Sequence, residues 1–414
     1  MSARTLLGLT LAILFAAPAF AENWPAWRGP TGMGQSTETK LPTKWSKTDN
    51  VRWKIPLPAP GNSTPIVWGN KIFITQATEK GKVRGLYCYD RADGRELWSQ
   101  TVTFDKEEKS HDTNPQCSAS AVTDGERVVA WHGSAGVFCY DLQGKLVWQK
   151  DLGIFEHIWG TAASPVIVGD VVVLNCGPGL SSFVVALDKA TGDEKWRVSL
   201  PEMTSTKIEE FRGSWSTPVV RKVGDSNELL LSLPMNLVAL DPKNGQTKWR
   251  CEGLSKLVYT SPLFTDKTAV AMSGYHGPAL AVKLGGSGDI TKDRLWHQTE
   301  KIPQRVGSGV IVGDHLYILN ENGIAWCLDV ASGERLWEKR LEGGNSWSSM
   351  VHAAGKIYVL DMQGNTHVLE VNPKECVVLG KNVIGETCRA SLAPSEGEFF
   401  IRTYNALYCV GEKK

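Results

Sequence analysis

The side chains best suited to chemistry lie in short loops rich in Gly and Ser, far apart in the chain. Arg212 and Trp215 fall in EEFRGSWSTP, Arg305 in PQRVGSG, Trp347 in GNSWSSM and Arg389 in ETCRAS. His157 and Trp159 share FEHIWGTAAS, Tyr275 and His276 share SGYHGPA, and Tyr404 lies in RTYNA. Guanidinium groups beside flat aromatic rings suit a sugar or a peptide, since the rings offer apolar faces and each Arg a fixed fork of donors. His111, His132, His157 and His276 raise the question of a metal, because neutral imidazole is a common ligand. No two of them stand at i, i+2 or i, i+4, so no metal site is expected. There is no Gly-x-Ser-x-Gly elbow, Walker loop, Cys-x-x-Cys or adjacent Cys pair, and no catalytic residue is assigned. The candidate binding set is therefore Trp159, His157, Arg212, Trp215, His276, Arg305, Trp347, Arg389 and Tyr404.

Something must bring these loops together, and the chain between them is repetitive. Trp53, Trp98, Trp148, Trp196, Trp249, Trp296 and Trp337 recur at steps of 41 to 53 residues. A second mark, Thr64, Ser120, Ser164, Thr217, Ser261, Ser308, Ser349 and Ser391, keeps a similar period. Between the marks, Val/Ile/Leu-rich runs of about five residues alternate with Gly- and Asp-bearing turns, which reads as four antiparallel strands per unit. That is the pattern of a propeller blade. The last segment, CRASLAPSEGEFFIRTYNALYCVGEKK, supplies three strands, while NVRWKIPL at residues 50–57 is a lone Trp-bearing strand. Joining them gives an all-β, eight-bladed β-propeller of four-stranded antiparallel blades, closed by the N-terminal strand, with no open sheet edge between first and last blade. The seven repeated Trp are expected between blades, each indole N–H bonded to a neighbour's backbone. In this geometry the candidate loops share one face.

The strings VALDKATGDEKW and CLDVASGERLW match A-[LY]-D-x-x-[TS]-G-x-x-x-W, and the chain resembles the PQQ-binding-like, quinoprotein-type β-propellers across residues 50 to 414. One branch of that superfamily comprises PQQ-dependent dehydrogenases, which carry adjacent cysteines, a calcium or rare-earth site and a catalytic Asp. The other comprises non-enzymatic relatives such as the BamB-type outer-membrane assembly factors, and NWPAWRGPTGMGQS and ENGIAWCLDVASG resemble secreted bacterial members of that branch. Without a Cys–Cys pair, and with Glu209 and Glu210 the one obvious pair of neighbouring loop carboxylates, the second branch is the reading adopted. It implies a binding or scaffold module whose partner is an exported protein or a glycan, with no cofactor. The alternative is a PQQ-dependent dehydrogenase holding PQQ and Ca²⁺ in the funnel.

The remaining features concern location and packing. Residues 1–21 read as a secretory signal peptide, with Arg4 before an apolar run from Leu6 to Ala17 and with Ala19 and Ala21 at the cleavage site. No Cys follows that site, so a lipid anchor is not expected; the protein is expected in the periplasm or outside the cell, soluble and monomeric. Residues 22–49 read as an arm whose Trp24, Trp27 and Trp45 pack on the ring. Lys+Arg is 45 and Asp+Glu is 44, which excludes a general nucleic-acid footprint. Cys88, Cys139, Cys327 and Cys409 occupy one repeat position, filled by Ala186, Ala239 and Ala281 elsewhere, so a small buried slot is expected. Nine cysteines leave at least one without an internal partner.

Overall fold

The structure, a computed structural model, describes residues 22–204, 212–300 and 305–412. The signal peptide expected at 1–21 and the pair Glu209 and Glu210 lie outside the described residues. Blade 3 shows the unit. Val166–Val168, Val171–Cys176, Phe183–Asp188 and Glu194–Val198 hydrogen-bond in chain order, each antiparallel to the next. Alternate residues point to opposite faces, and both faces are covered. Val172 and Leu174 join Val129, Val137 and Cys139 of blade 2, while Val173 and Val184 join Leu229, Leu231 and Val238 of blade 4. Each such side chain taken from water stabilises the ring by roughly 1.5–3 kcal/mol.

Eight sheets of this kind complete the circle. In the eighth, Val51–Pro56 lies beside Ala406–Val410, followed by Glu398–Arg402 and Ala393–Ser395. The chain's first strand is thus the outer strand of its last blade. Two buried arginines reinforce this seam. Arg91 of blade 1 donates to the Ser395 carbonyl at 2.5 Å and to Glu398 at 2.8 Å. Arg402 of blade 8 donates to the Thr75 carbonyl at 2.8 Å and to Gln76 Oε1 at 2.7 Å, both in blade 1. Blade 4 departs from the expected four strands: Gly288–Asp289, from the loop before the last strand of blade 5, pairs parallel with Thr247–Glu252. Among the described residues no helix is long and apolar enough to cross a membrane.

The repeated Trp act between sheets. Trp53 donates to the Arg91 carbonyl at 2.8 Å, Trp98 to Leu142 at 3.1 Å, and Trp148 to Lys189 at 2.9 Å. Trp196 donates to Pro242 at 2.8 Å, Trp296 to Val330 at 2.9 Å, and Trp337 to Asn372 at 2.9 Å. Every acceptor belongs to the following blade. Trp249 is the most deeply buried of the seven, but its neighbouring turn is the one that has become the extra strand. The repeat spacing follows from these contacts. The turn Gly needs a positive φ and also lies under the preceding blade's indole: Gly192 has φ +78°, and a Cβ there would come within 2.7 Å of Trp148. The Asp carboxylate fixes the same turn, Asp188 accepting the Ala190 and Thr191 N–H groups at 2.8 and 3.0 Å. Across the strand pair, Cys88, Cys139, Ala186, Ala239, Ala281, Cys327 and Cys409 each stand directly opposite a Trp. Directly opposed residues share a face, so the indole leaves room only for Cys or Ala. All nine cysteines are unpaired.

The arm at 22–49 crosses one end of the ring. Trp24 pairs with Val67 of blade 1, the Pro25 carbonyl accepts the Thr123 N–H of blade 2 at 2.9 Å, and Gln35 bridges to His352 of blade 7. Arg28, buried, donates to the Met33 carbonyl at 2.7 Å and to Gly309, ahead of blade 6, at 2.5 Å. Trp24 and Trp45 are in the core, Trp45 packing on Phe399 at 5.7 Å.

Candidate functional site

The inner strand of each blade begins just after one member of the Ser/Thr series, so these hydroxyls surround the axis. They are chained together. The N–H groups of Thr64, Ser120 and Ser164 donate to the hydroxyls of Ser120, Ser164 and Thr217 at 2.8–2.9 Å. Those of Ser261, Ser308, Ser349 and Ser391 donate to Ser308, Ser349, Ser391 and back to Thr64 at 2.9–3.0 Å. Between Thr217 and Ser261 the link is reversed, the Ser261 hydroxyl donating to the Thr217 carbonyl at 2.8 Å. The circle is closed. Each hydroxyl that accepts an N–H keeps its own proton to donate elsewhere.

Above this circle, on the face of the candidate loops, opens a cavity of about 400 Å³. Trp159, Trp215, Tyr259, Tyr275 and Trp347 form its walls, Arg389 supplies the cation, and Thr64, Ser120, Ser164, Thr217, Ser349 and Ser391 form its lower rim. Trp27 of the arm lines it as well. Since the arm crosses the opposite end of the ring, this indole is the floor. The walls are fixed by contact. Trp215 stacks on Tyr259 at 4.8 Å and 19°, and its indole donates to the Gly160 carbonyl at 2.9 Å. Asn114 donates to the Trp159 carbonyl at 2.6 Å, and Trp347 donates to Glu321 at 3.1 Å. Tyr275, half exposed at the mouth, has φ +38° and His276 φ +59°. Such left-handed non-Gly residues cost of order 1 kcal/mol each and cluster at functional positions.

Of the nine predicted residues, Trp159, Trp215, Trp347 and Arg389 line the cavity. Arg389 lies 4.8 Å from the Trp347 ring and 5.2 Å from the Tyr404 ring, so Tyr404 backs the site. His157 is buried behind the wall, edge-on to Trp215 at 5.0 Å. His276 stands outside next to Tyr275, and Arg212 is away from the lining, its carbonyl accepting the Gly179 N–H at 3.0 Å. Arg305 is a correction to the expected open face: it is buried beside the wall residue Val306, its guanidinium 5.4 Å from the Trp326 ring. His132 is likewise no face residue. It is buried 3.4 Å from Cys117 Sγ, and burial pulls its pKa down to about 3. Of the four histidines, His111 lines the cavity. Among the described residues no three His, Cys, Asp or Glu side chains come together to hold a metal.

The electrostatics are one-sided. Burial lowers the pKa of Arg28 to about 9 and of Arg305 to about 10, and also lowers that of Arg389; no carboxylate offsets it in any of the three. Nε of all three, and Nη1 of Arg28 and Arg305, find no hydrogen-bond partner among the described residues. Among the described residues the cavity lining contains no Asp or Glu; Glu321 stands behind Trp347, accepting its indole N–H. Sequence reasoning missed Trp27, Asn62, Thr113 and Asn114, all in the lining. The Ser/Thr period was a visible signal, read as a structural mark alone.

A family model described as outer membrane protein assembly factor BamB matches residues 35–154, 80–339 and 286–379 in overlapping segments. The chain belongs to this family. BamB of Moranella endobia (strain PCIT) is 24% identical over 319 residues, 76% of this chain and 65% of that protein, so a third of that relative lies outside the match. Among solved structures, BamB from Moraxella catarrhalis superposes with TM-score 0.61 at 15% identity, over 86% of this chain and 98% of that one. A quinohemoprotein alcohol dehydrogenase from Comamonas testosteroni superposes with TM-score 0.70 at 10% identity, over 95% of this chain and 81% of that one. At such identities the structural likenesses show the fold alone. Membership in the BamB family therefore sets the architecture, and the cavity must be read from its own residues.

Proposed function

We propose that the protein is an exported, non-enzymatic docking module that receives a segment of another exported protein in the aromatic cavity on the propeller axis. The observation that carries this is the cavity itself: five aromatic walls, one cation and Trp27 at its floor. A flat apolar lining with few directional groups suits binding. The BamB family model and the BamB relatives support a scaffold role. The quinoprotein alternative asks for a carboxylate set to hold a metal beside PQQ. The described lining offers hydroxyls, amides, the single imidazole of His111 and one Arg instead, a donor set without the carboxylates that group needs, and the vicinal cysteines are absent from the sequence. A glycan would also meet these rings, but the described lining carries no carboxylate, a common acceptor for sugar hydroxyls, which favours protein.

The test places a photo-crosslinking residue at Tyr275, at the mouth, and separately at Asp170, in the turn at the opposite end of blade 3. A defined exported protein crosslinked from Tyr275 and not from Asp170 supports docking at this face. Equal capture at both positions, or capture from Asp170 alone, overturns it. In parallel, purified protein is given PQQ and Ca²⁺. Quinone absorbance with alcohol-driven dye reduction would establish the enzyme reading instead.

A further inference from the structure

One arginine, Arg389, lines the cavity, and two more, Arg28 and Arg305, are buried next to lining residues; among the described residues none of the three has a carboxylate partner. Arg389 is held in the wall between the rings of Trp347 and Tyr404, with no hydrogen-bond partner for Nε. Arg28 lies beneath the floor, 5.8 Å from the Trp27 ring, with Nε and Nη1 unpartnered. Arg305 is buried next to Val306 of the wall, again with Nε and Nη1 unpartnered. A buried charge without a counter-ion costs several kcal/mol. Folded proteins tolerate this where a ligand supplies the opposite charge or where carbonyl dipoles compensate. For Arg28 two carbonyls compensate in part; for Arg389 the compensation is two aromatic faces.

The lower rim adds donors of the same preference. Thr64, Ser120, Ser164, Thr217, Ser349 and Ser391 line the cavity, and each accepts a backbone N–H around the circle. Their O–H groups remain to donate. Positive charge, hydroxyl donors and a described lining without a carboxylate favour an anion. The walls select a flat apolar body: the gap is bounded by Trp159, Trp215, Tyr259 and Trp347, with Trp27 at its lower end.

We infer that the cavity recognises a carboxylate borne on a flat apolar group, the carboxylate meeting Arg389 and the rim hydroxyls while the apolar group lies against the Trp215 and Trp347 walls. This rests on the docking reading above. Two sources share the chemistry: a small aromatic acid, or the free C-terminus of a chain ending in an aromatic residue. A charged hydrogen bond to a carboxylate is about twice as strong as a neutral one. The acid is thus expected to bind about tenfold tighter than its amide.

Calorimetric titration uses 3-phenylpropionate and 3-phenylpropionamide, then a tetrapeptide ending in Phe with a free or an amidated terminus. The expected result is that the free acid binds tighter than the amide in at least one pair. Preference in the small pair alone identifies a small acid as the source; preference in the peptide pair identifies a chain end. Arg389→Gln should remove the preference and leave the weaker amide binding, whereas Arg389→Lys should keep part of it, with both variants melting like the parent. Equal binding of acid and amide, no binding of either pair, or a preference that survives Arg389→Gln in folded protein overturns the inference. If these probes fail while crosslinking from Tyr275 still captures an exported protein, docking stands and the anion preference falls.

Discussion

Replacing Trp196 by Ala measures what holds one blade to the next. The indole is 8% exposed, donates to the Pro242 carbonyl at 2.8 Å, and covers Gly245, where a Cβ would lie 2.6 Å from its ring. A buried indole removes roughly 200 Å² from water. At ~25 cal/mol/Å² that is about 5 kcal/mol, of which Ala retains part. The void between the sheets of blades 3 and 4 opposes collapse, and measured Trp→Ala losses run to about 3–5 kcal/mol. A loss of about 4 kcal/mol is expected. Trp196→Phe separates the contributions: most of the ring contact stays, the Pro242 carbonyl loses its donor, and about 1 kcal/mol is lost. Urea unfolding followed by far-ultraviolet circular dichroism reads both, since the remaining Trp complicate fluorescence. If Trp196→Ala shifts the midpoint by less than about 1 kcal/mol equivalent, the inter-blade wedge is not what stabilises the ring. A Phe variant as damaging as Ala would place the effect in the hydrogen bond.

Other outcomes follow from the same geometry. In the Cys/Ala slot, Ala186→Cys should cost under about 1 kcal/mol, while Cys88→Leu should cost about 1–3 kcal/mol by overpacking against Trp98, read as urea midpoints. Thiol titration of native protein should find at most Cys376, the one cysteine not fully buried, and all nine after denaturation. His132 carries a depressed folded pKa of about 3 because burial disfavours its charged form. The unfolded chain therefore takes up a proton near pH 6.5 that the folded one refuses. Stability from this residue is present above that pH and is lost as pH falls toward 3, with a slope of up to about 1.4 kcal/mol per pH unit. His132→Gln should flatten the slope between pH 6 and 5; an unchanged slope would show that this imidazole titrates normally in the fold.

The architecture was legible because each blade must solve the same problem. An indole over a Gly turn, an Asp capping that turn and a small residue opposite the indole are local demands, and they repeat in the string from Val184 to Trp196 much as in the one from Ala325 to Trp337. The closing strand was legible from the Trp53 segment for the same reason, since its missing partners had to lie at the other terminus. The parallel strand Gly288–Asp289 was not, because it follows from a loop extension in blade 5 that breaks the repeat. The site was legible in part. The loops were placed on one face, which brought Trp159, Trp215, Trp347 and Arg389 together. Depth was not legible: Arg305 and His132 occupy similar loops, yet their side chains turn inward between blades, which depends on packing and not on spacing. Trp27 was expected to pack on the ring's surface by its apolar character. That its indole lines the cavity depends on the path of the whole arm, anchored at Val67, Gly309 and His352.

The central claim is a division of labour between two sets of tryptophans, one that holds the ring and one that receives a ligand. Fluorine NMR of protein labelled with 5-fluorotryptophan, assigned by single Trp→Phe variants and titrated with the Phe-ended peptide, tests it most directly. The account predicts shifts at Trp27, Trp159, Trp215 and Trp347 and none at Trp98, Trp148, Trp196 or Trp249. Movement of the inter-blade set with the cavity set silent would contradict it.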